Sequence, residues 1–176
     1  SLNSDRNPHT FWKFLSDEIE RNVSLKSKLK IQLVGAVDVK VIDSIHACGL
    51  SDYLDQRPFI PHQEVIELMS SCSLLLLPLN NVKNQQGIIP GKLFEYLASN
   101  QPILAIGPKT GDSAQILQEQ ANTMVIDFDE APQWTEIEAM CQRQTNRSST
   151  LNAFSRQELA KEMSAFLDEL ILTSSK

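Results

Sequence analysis

Five short runs rich in apolar residues recur along the chain: KIQLVG (30–35), YLDQRPFI (53–60), SLLLLPL (73–79), PILAIG (102–107) and TMVIDF (123–128). Most are continuously apolar rather than alternating, which is the pattern of strands buried on both faces of a parallel sheet. Helical patterns fall between them, at about 38–47, 62–71, 91–99, 112–120 and 133–144. An earlier helix is expected to begin near Pro8 with Asn7 as its N-cap, and Phe11, Leu15 and Ile19 line one of its faces. Asp112 is the expected N-cap of the helix at 112–120. Strand and helix in alternation predict an α/β domain, a doubly wound parallel sheet with helices on both faces.

With 176 residues, the chain has the length of one domain, 1–176, and can bury a sizeable core. Near its end, Ser155 and Glu158 form a capping-box pattern. Leu159, Met163, Phe166, Leu167, Leu170 and Ile171 then form an amphipathic stripe, so a C-terminal helix is expected at about 152–171, packed on its own sheet or reaching to a partner domain. The net charge of −6 argues against nucleic acid as a partner, since neutralising phosphates takes a basic face. The run Lys26, Lys28, Lys30 is too short to supply one and reads as a solvated edge. Cys48, Cys72 and Cys141 have no metal-ligand spacing and read as buried, reduced thiols of a cytoplasmic protein. No apolar run approaches the roughly 20 residues of a membrane span. No signal peptide is expected, and a first residue of Ser rather than Met suggests a fragment of something longer.

The stretch NVKNQQGIIPGKLFEYLASNQPILAIG, residues 81–107, carries the most chemistry. In a parallel sheet, ligands bind outside the carboxyl ends of the strands. The loop 79–90 leaves a strand at that edge and runs into a helix N-terminus, whose free N–H groups and partial positive charge suit a phosphate. Gly87 and Gly91 allow close backbone approach, and Pro90 sets the start of the helix without losing a needed donor. Lys92 and Glu95 are three residues apart and share a face with Ser99, while Leu93, Phe94 and Leu97 take the buried side. Lys92 would neutralise a diphosphate and Glu95 would accept hydrogen bonds from two ribose hydroxyls. The bland alternative is a solvated ion pair worth a few tenths of a kcal/mol.

The string PGKLFEYLASNQPILAIGP resembles the donor-binding motif of GT-B glycosyltransferases of the large retaining group 1 family, a helix of the form K-x-x-E-Y-[LM]-A-x-x-x-P followed by a strand. The matching positions are Lys92, Glu95, Tyr96, Leu97, Ala98 and Pro102. KIQLVG looks like that family's strand before a glycine turn, and RPFIPHQEVIELMSSCSLLLLPL looks like the segment leading to the strand before the donor loop. The resemblance implies one Rossmann-like half of a GT-B fold, the C-terminal domain that binds a nucleotide sugar. Its partner would be an N-terminal acceptor-binding domain of the same chain, in a cytoplasmic enzyme associated peripherally with the inner face of the membrane. The implied activity is hexosyl transfer from a nucleoside diphosphate sugar to an acceptor hydroxyl, in bacterial polysaccharide biosynthesis, with no metal or other cofactor and no turnover by this half alone. Glu95 would bind the ribose, and Lys92 with the backbone of Gly87, Ile88, Ile89, Pro90 and Gly91 would face the diphosphate or sugar. The loop from Phe59 to His62 would border the nucleobase, and Gly35 would lie near the phosphates. SLNSDRNP looks like the loop carrying an arginine that stabilises the leaving phosphate, which makes Arg6 the second candidate catalytic residue beside Lys92. Many members carry a second Glu eight residues before the one at Glu95; Gly87 stands there instead, so the role of that first Glu does not carry over. The lysine that usually partners the arginine is not evident either.

Other patterns carry less. Asp127-Phe128-Asp129 spells a DxD that holds metal in a different glycosyltransferase fold, but it ends a strand among ordinary loop acids, and Asp129 reads as a turn or helix-cap residue. His9 and His46 read as ordinary helix or surface residues; His62 borders the base or caps the helix that follows. Trp12 and Trp134 read as packing residues. The absence of GxGxxG and Walker A patterns disfavours a dehydrogenase or P-loop enzyme, and no GxSxG elbow is present. A non-catalytic Rossmann- or flavodoxin-like binding module, and an epimerase of sugar nucleotides, remain as alternatives.

Overall fold

A computed structural model describes residues 2–142. The chain divides between Gln144 and Thr145 into two units, and the described residues belong to the first. The helix expected at about 152–171 lies outside them. All five apolar runs form strands: β1 (Ile31–Val34), β2 (Leu54–Arg57), β3 (Leu75–Pro78), β4 (Ile103–Ile106) and β5 (Thr123–Ile126). The helices are α1 (His9–Arg21), α2 (Val23–Lys28), α3 (Val39–Ala47), α4 (His62–Ser71), α5 (Gly91–Ser99), α6 (Asp112–Gln118) and α7 (Trp134–Gln142). Every strand pairing among the described residues is parallel.

The continuous sheet expected from the sequence is two sheets among the described residues, β1–β2 and β3–β4–β5. In the first, Ile31 lies opposite Leu54; in the second, Leu75, Ile103 and Thr123 lie abreast. The facing edges of β1 and β3 do not pair. The alternation of strand and helix with parallel sheets is a mixed α/β architecture compatible with a Rossmann-like fold.

Burial follows strand position. β4, central in its sheet, buries all four of its residues, as a doubly flanked strand must. β2, at an outer edge, is the polar LDQR, and charges on such an edge discourage pairing with other chains. The main core gathers Phe11, Trp12, Leu15 and Ile19 of α1 and Val41 and Ile45 of α3. It continues through Ile31, Leu104, Ile106 and Ile126 to Ile137 of α7.

Two local expectations are corrected. Pro8 takes the N-cap position of α1. Asn7 instead ties two helices together: its Oδ1 accepts from Trp12 Nε1 at 3.1 Å and its Nδ2 donates to Ser44 Oγ at 2.7 Å. Gly111 caps α6, and Asp112 is its first residue, where a carboxylate still favours the helix dipole. The lysine run is exposed, as expected, with Lys26 and Lys28 on α2: Asn22 caps that helix by accepting from the Leu25 amide at 3.0 Å, and Lys30 pairs with Asp55 at 2.9 Å.

Asp55 also accepts from Arg57 and Gln32, and the hydrogen bonds from Arg57, Lys30 and Gln32 hold its carboxyl well below the usual carboxylate range. A depressed carboxyl favours folding while it is ionised, so this contribution is present above the unfolded value of about 3.9 and is lost as pH falls towards the folded one. The difference in urea midpoint between the parent and Asp55→Asn is expected to be small and constant above about pH 5 and to shrink below about pH 4. A difference unchanged down to about pH 2.5 would remove Asp55 from this role.

Candidate functional site

The site is built at the carboxyl end of β3. Leu79 is buried, and its amide donates to Ile106 O at 2.9 Å, which continues the β3–β4 ladder one step. The chain then leaves the sheet. Asn80 Oδ1 accepts from Arg6 Nε, and the Asn81 amide donates to Asp5 O at 2.8 Å. These two bonds hold the 3-10 turn Ser4–Arg6 beside the start of the loop.

The loop 79–90 is braced from below by α6. Ser113, itself buried, donates through Oγ to Ile88 O at 2.8 Å. Gly111 lies so close that a Cβ there would sit 2.9 Å from Gln86 O. Asn84 takes a left-handed conformation, φ 62°, ahead of a 3-10 turn at Gln85–Gly87. Asn tolerates that region because its short polar side chain bonds locally. α5 begins after Pro90, which offers no side-chain cap; the Leu93 amide donates back to Pro90 O at 2.9 Å, and the amides of Gly91 and Lys92 ahead of it are left for another acceptor.

On α5, Leu93 and Leu97 are buried, while Lys92 and Glu95 face outward; Phe94, expected on the buried side, is exposed instead. The ion pairs among the described residues do not include Lys92 with Glu95. Their spacing is therefore not explained by a surface pair. Ser99 closes the helix by donating to Tyr96 O at 2.6 Å.

A cavity of about 890 Å³ opens here, with Arg6, Phe59, Pro90, Lys92, Glu95 and Tyr96 in its wall. Five of these are candidates from the sequence, drawn from three separate segments. Gly35, His62, Gly87, Ile88, Ile89 and Gly91 do not line it. Gly35 stands directly behind Phe59: its φ is +88°, and a Cβ there would lie 3.1 Å from the Phe59 ring. Both its dihedral and that ring favour glycine. The ring of Phe59 is 82% exposed, an unusual state for an aromatic residue held by a neighbour. His62 is exposed and is the first residue of α4, with the cap position taken by Pro61, so the capping alternative falls away. A Cβ added at Gly87 or Gly91 would meet nothing within 4 Å, so the space beside the loop and the start of α5 is open.

Burial pushes the Tyr96 hydroxyl up to about 12, helped by Cys72 and Glu95 nearby. It therefore stays protonated at neutral pH and can donate into the cavity wall. Burial likewise raises the Cys72 thiol. Elsewhere, Asp127 accepts from the Phe128 amide at 2.8 Å, and Glu130 pairs with Lys109 at 2.5 Å. Asp127 and Asp129 thus lie in a turn closed by the Glu130 amide on Asp127 O. Among the described residues, no three metal-ligating side chains gather, and no helix is long and apolar enough to cross a membrane.

Two residues at this site had no signal in the sequence. Asn80, which orients Arg6, and Ser113, which holds Ile88, act across long sequence separations and belong to no local pattern. No protein-family model matches this chain, and no curated protein matches it.

Proposed function

We propose that the end of the cavity walled by Arg6, Lys92 and Glu95 binds a nucleoside diphosphate sugar and that the chain is the donor-binding half of a glycosyltransferase. The observation that carries this reading is the meeting of Arg6, Lys92 and Glu95 in one cavity wall, beside the uncapped start of α5. Two cations and the amides of Gly91 and Lys92 suit a diphosphate; a carboxylate one turn on suits a pair of ribose hydroxyls. In sugar transfer, charge builds on the departing diphosphate. Arg6 and Lys92 would stabilise that charge, which is the largest demand the reaction makes on a site. In this reading the two small sheets belong to one doubly wound half of a GT-B fold, and an N-terminal domain brings the acceptor hydroxyl across the cleft. Phe59, exposed at the cavity wall, supplies a flat apolar face on which a base can stack.

Calorimetric titration with UDP, GDP and ADP tests the reading. At least one should bind, and Glu95→Ala should weaken it by about tenfold, the loss of charge-assisted bonds to the ribose. Lys92→Ala should weaken the diphosphate more than the matching nucleoside. Silence with all three nucleotides, or an affinity indifferent to Glu95→Ala, overturns it. Gly87 favours a second reading, nucleotide binding without transfer. The space around it would accept a side chain, so crowding does not explain the missing carboxylate. Release of nucleoside diphosphate from a panel of nucleotide sugars by the longer protein separates the two.

A further inference from the structure

We propose that the two sheets are halves of one, and that the slot between β1 and β3 takes a β-strand supplied by polypeptide immediately N-terminal to Ser1, running parallel to both. All four residues of β1 and all four of β3 line the same cavity of about 890 Å³ that reaches the candidate site. Apolar side chains of α1, α4 and α7, among them Leu15, Leu68 and Ile137, complete the lining. Protein interiors seldom leave voids much larger than a water molecule. Here the void separates two strand edges whose backbone groups need partners.

The chain itself marks the way in. Leu2 forms a parallel bridge to Val37, accepting from the Asp38 amide at 2.9 Å and donating to Ala36 O at 3.2 Å. A few residues on, Asp5 O accepts from Asn81, just past β3. The segment Leu2–Asp5 therefore bridges the carboxyl ends of β1 and β3. Traced backwards from Leu2, a parallel strand passes between them. Leu2 lies opposite Val37, so each step back on one strand is a step back on the other. The second to fifth residues before Ser1 then lie opposite Val34 to Ile31. The occupant must be extended backbone, because only a strand can pair with two edges at once. Buried on both faces, it should be a continuous apolar run.

The resulting order is β2–β1–inserted strand–β3–β4–β5. Counted along the chain from the inserted strand, this is 3-2-1-4-5-6, the doubly wound order, whose ligand crevice falls where the strand order reverses. That point is the junction of Leu2–Arg6 with Leu79–Asn81, where Arg6 meets Asn80. The proposal does not depend on the nucleotide reading.

Alternation fixes which amides should respond. Gly35 donates to β2 and Leu75 and Leu79 donate to β4, so the amides of Gln32, Val34, Leu74 and Leu76 point into the slot. The test compares two chains extended directly before Ser1 by about six residues, one alternating Val and Ile, the other Gly and Ser. Hydrogen exchange at those four amides should slow about tenfold or more with the Val/Ile extension alone, in a monomer, with a raised Tm. Leu33 and Leu77, already bonded within their sheets, serve as controls. If the extended chain is insoluble, the same six residues as a lysine-tagged free peptide should protect the same amides. Equal exchange with both extensions, or protection that appears only on dimerisation, overturns the proposal.

Discussion

Truncating Trp12 to alanine is expected to lower the stability of the chain by about 3–5 kcal/mol, read as a fall in the urea midpoint followed by circular dichroism. Trp12 is 1% exposed and sits at the centre of the core shared by α1, α3 and α7. Its ring meets that of Phe11 edge-on, 5.6 Å between centroids. It also carries a polar duty. Its Nε1 donates to Asn7, which in turn donates to Ser44 on α3, so one side chain both fills the core and anchors a link between two helices. Trp12→Phe separates these contributions. It keeps most of the apolar burial, loses the hydrogen bond and leaves Asn7 Oδ1 without that donor, a cost of about 1–2 kcal/mol. A Trp12→Ala chain destabilised by less than about 1 kcal/mol would show that α1 does not close this core.

The elements that could be read in advance are those whose burial is set by one-dimensional pattern. PILAIG reads as a strand flanked on both sides, and it is β4, buried throughout. FWKFL with Ile19 can only be a helix with one apolar face, and that face is the one in the core. Patterns do not encode which strand lies beside which, so the separation of the strands into two sheets was not legible. Nor was the role of Asn7, because a capping residue and a tertiary link have the same composition. α2 was hidden because its six residues, VSLKSK, carry too little periodicity to register. At the site, the local half could be read: a glycine-bearing loop, an uncapped helix start, and Lys92 and Glu95 on an outward face. Placing Arg6 at the same cavity took the family resemblance, and the contact that holds it, with Asn80, needed the folded chain. Long-range polar contacts between single side chains leave no spacing to find.

Gly107→Ala should disturb the site's foundation through a single added methyl. A Cβ at Gly107 would lie 2.6 Å from Leu79 Cδ1 and 2.8 Å from Leu79 Cβ, both well inside contact. Neither side can retreat easily. The Gly107 amide donates to Ile126 O at 2.9 Å, which holds the end of β4, and Leu79 is 3% exposed, with its own amide bonded to Ile106. Overpacking of this kind costs about 1–3 kcal/mol. Leu79→Ala alone leaves a cavity and costs about 2–5 kcal/mol. The two changes should compensate in part. Removing Cδ1 relieves the closer clash but leaves the one with Cβ, so the double variant should be less destabilised than the sum by more than about 0.5 kcal/mol. Leu79 immediately precedes Asn80, the partner of Arg6, so the displacement that accommodates the methyl passes to the cavity wall. Gly107→Ala should therefore weaken nucleoside diphosphate binding as well as stability, while the double variant recovers part of both. Strict additivity in urea unfolding would mean that the methyl finds room without moving Leu79. An unchanged affinity in Gly107→Ala would show that the position of Arg6 does not depend on the packing beneath it.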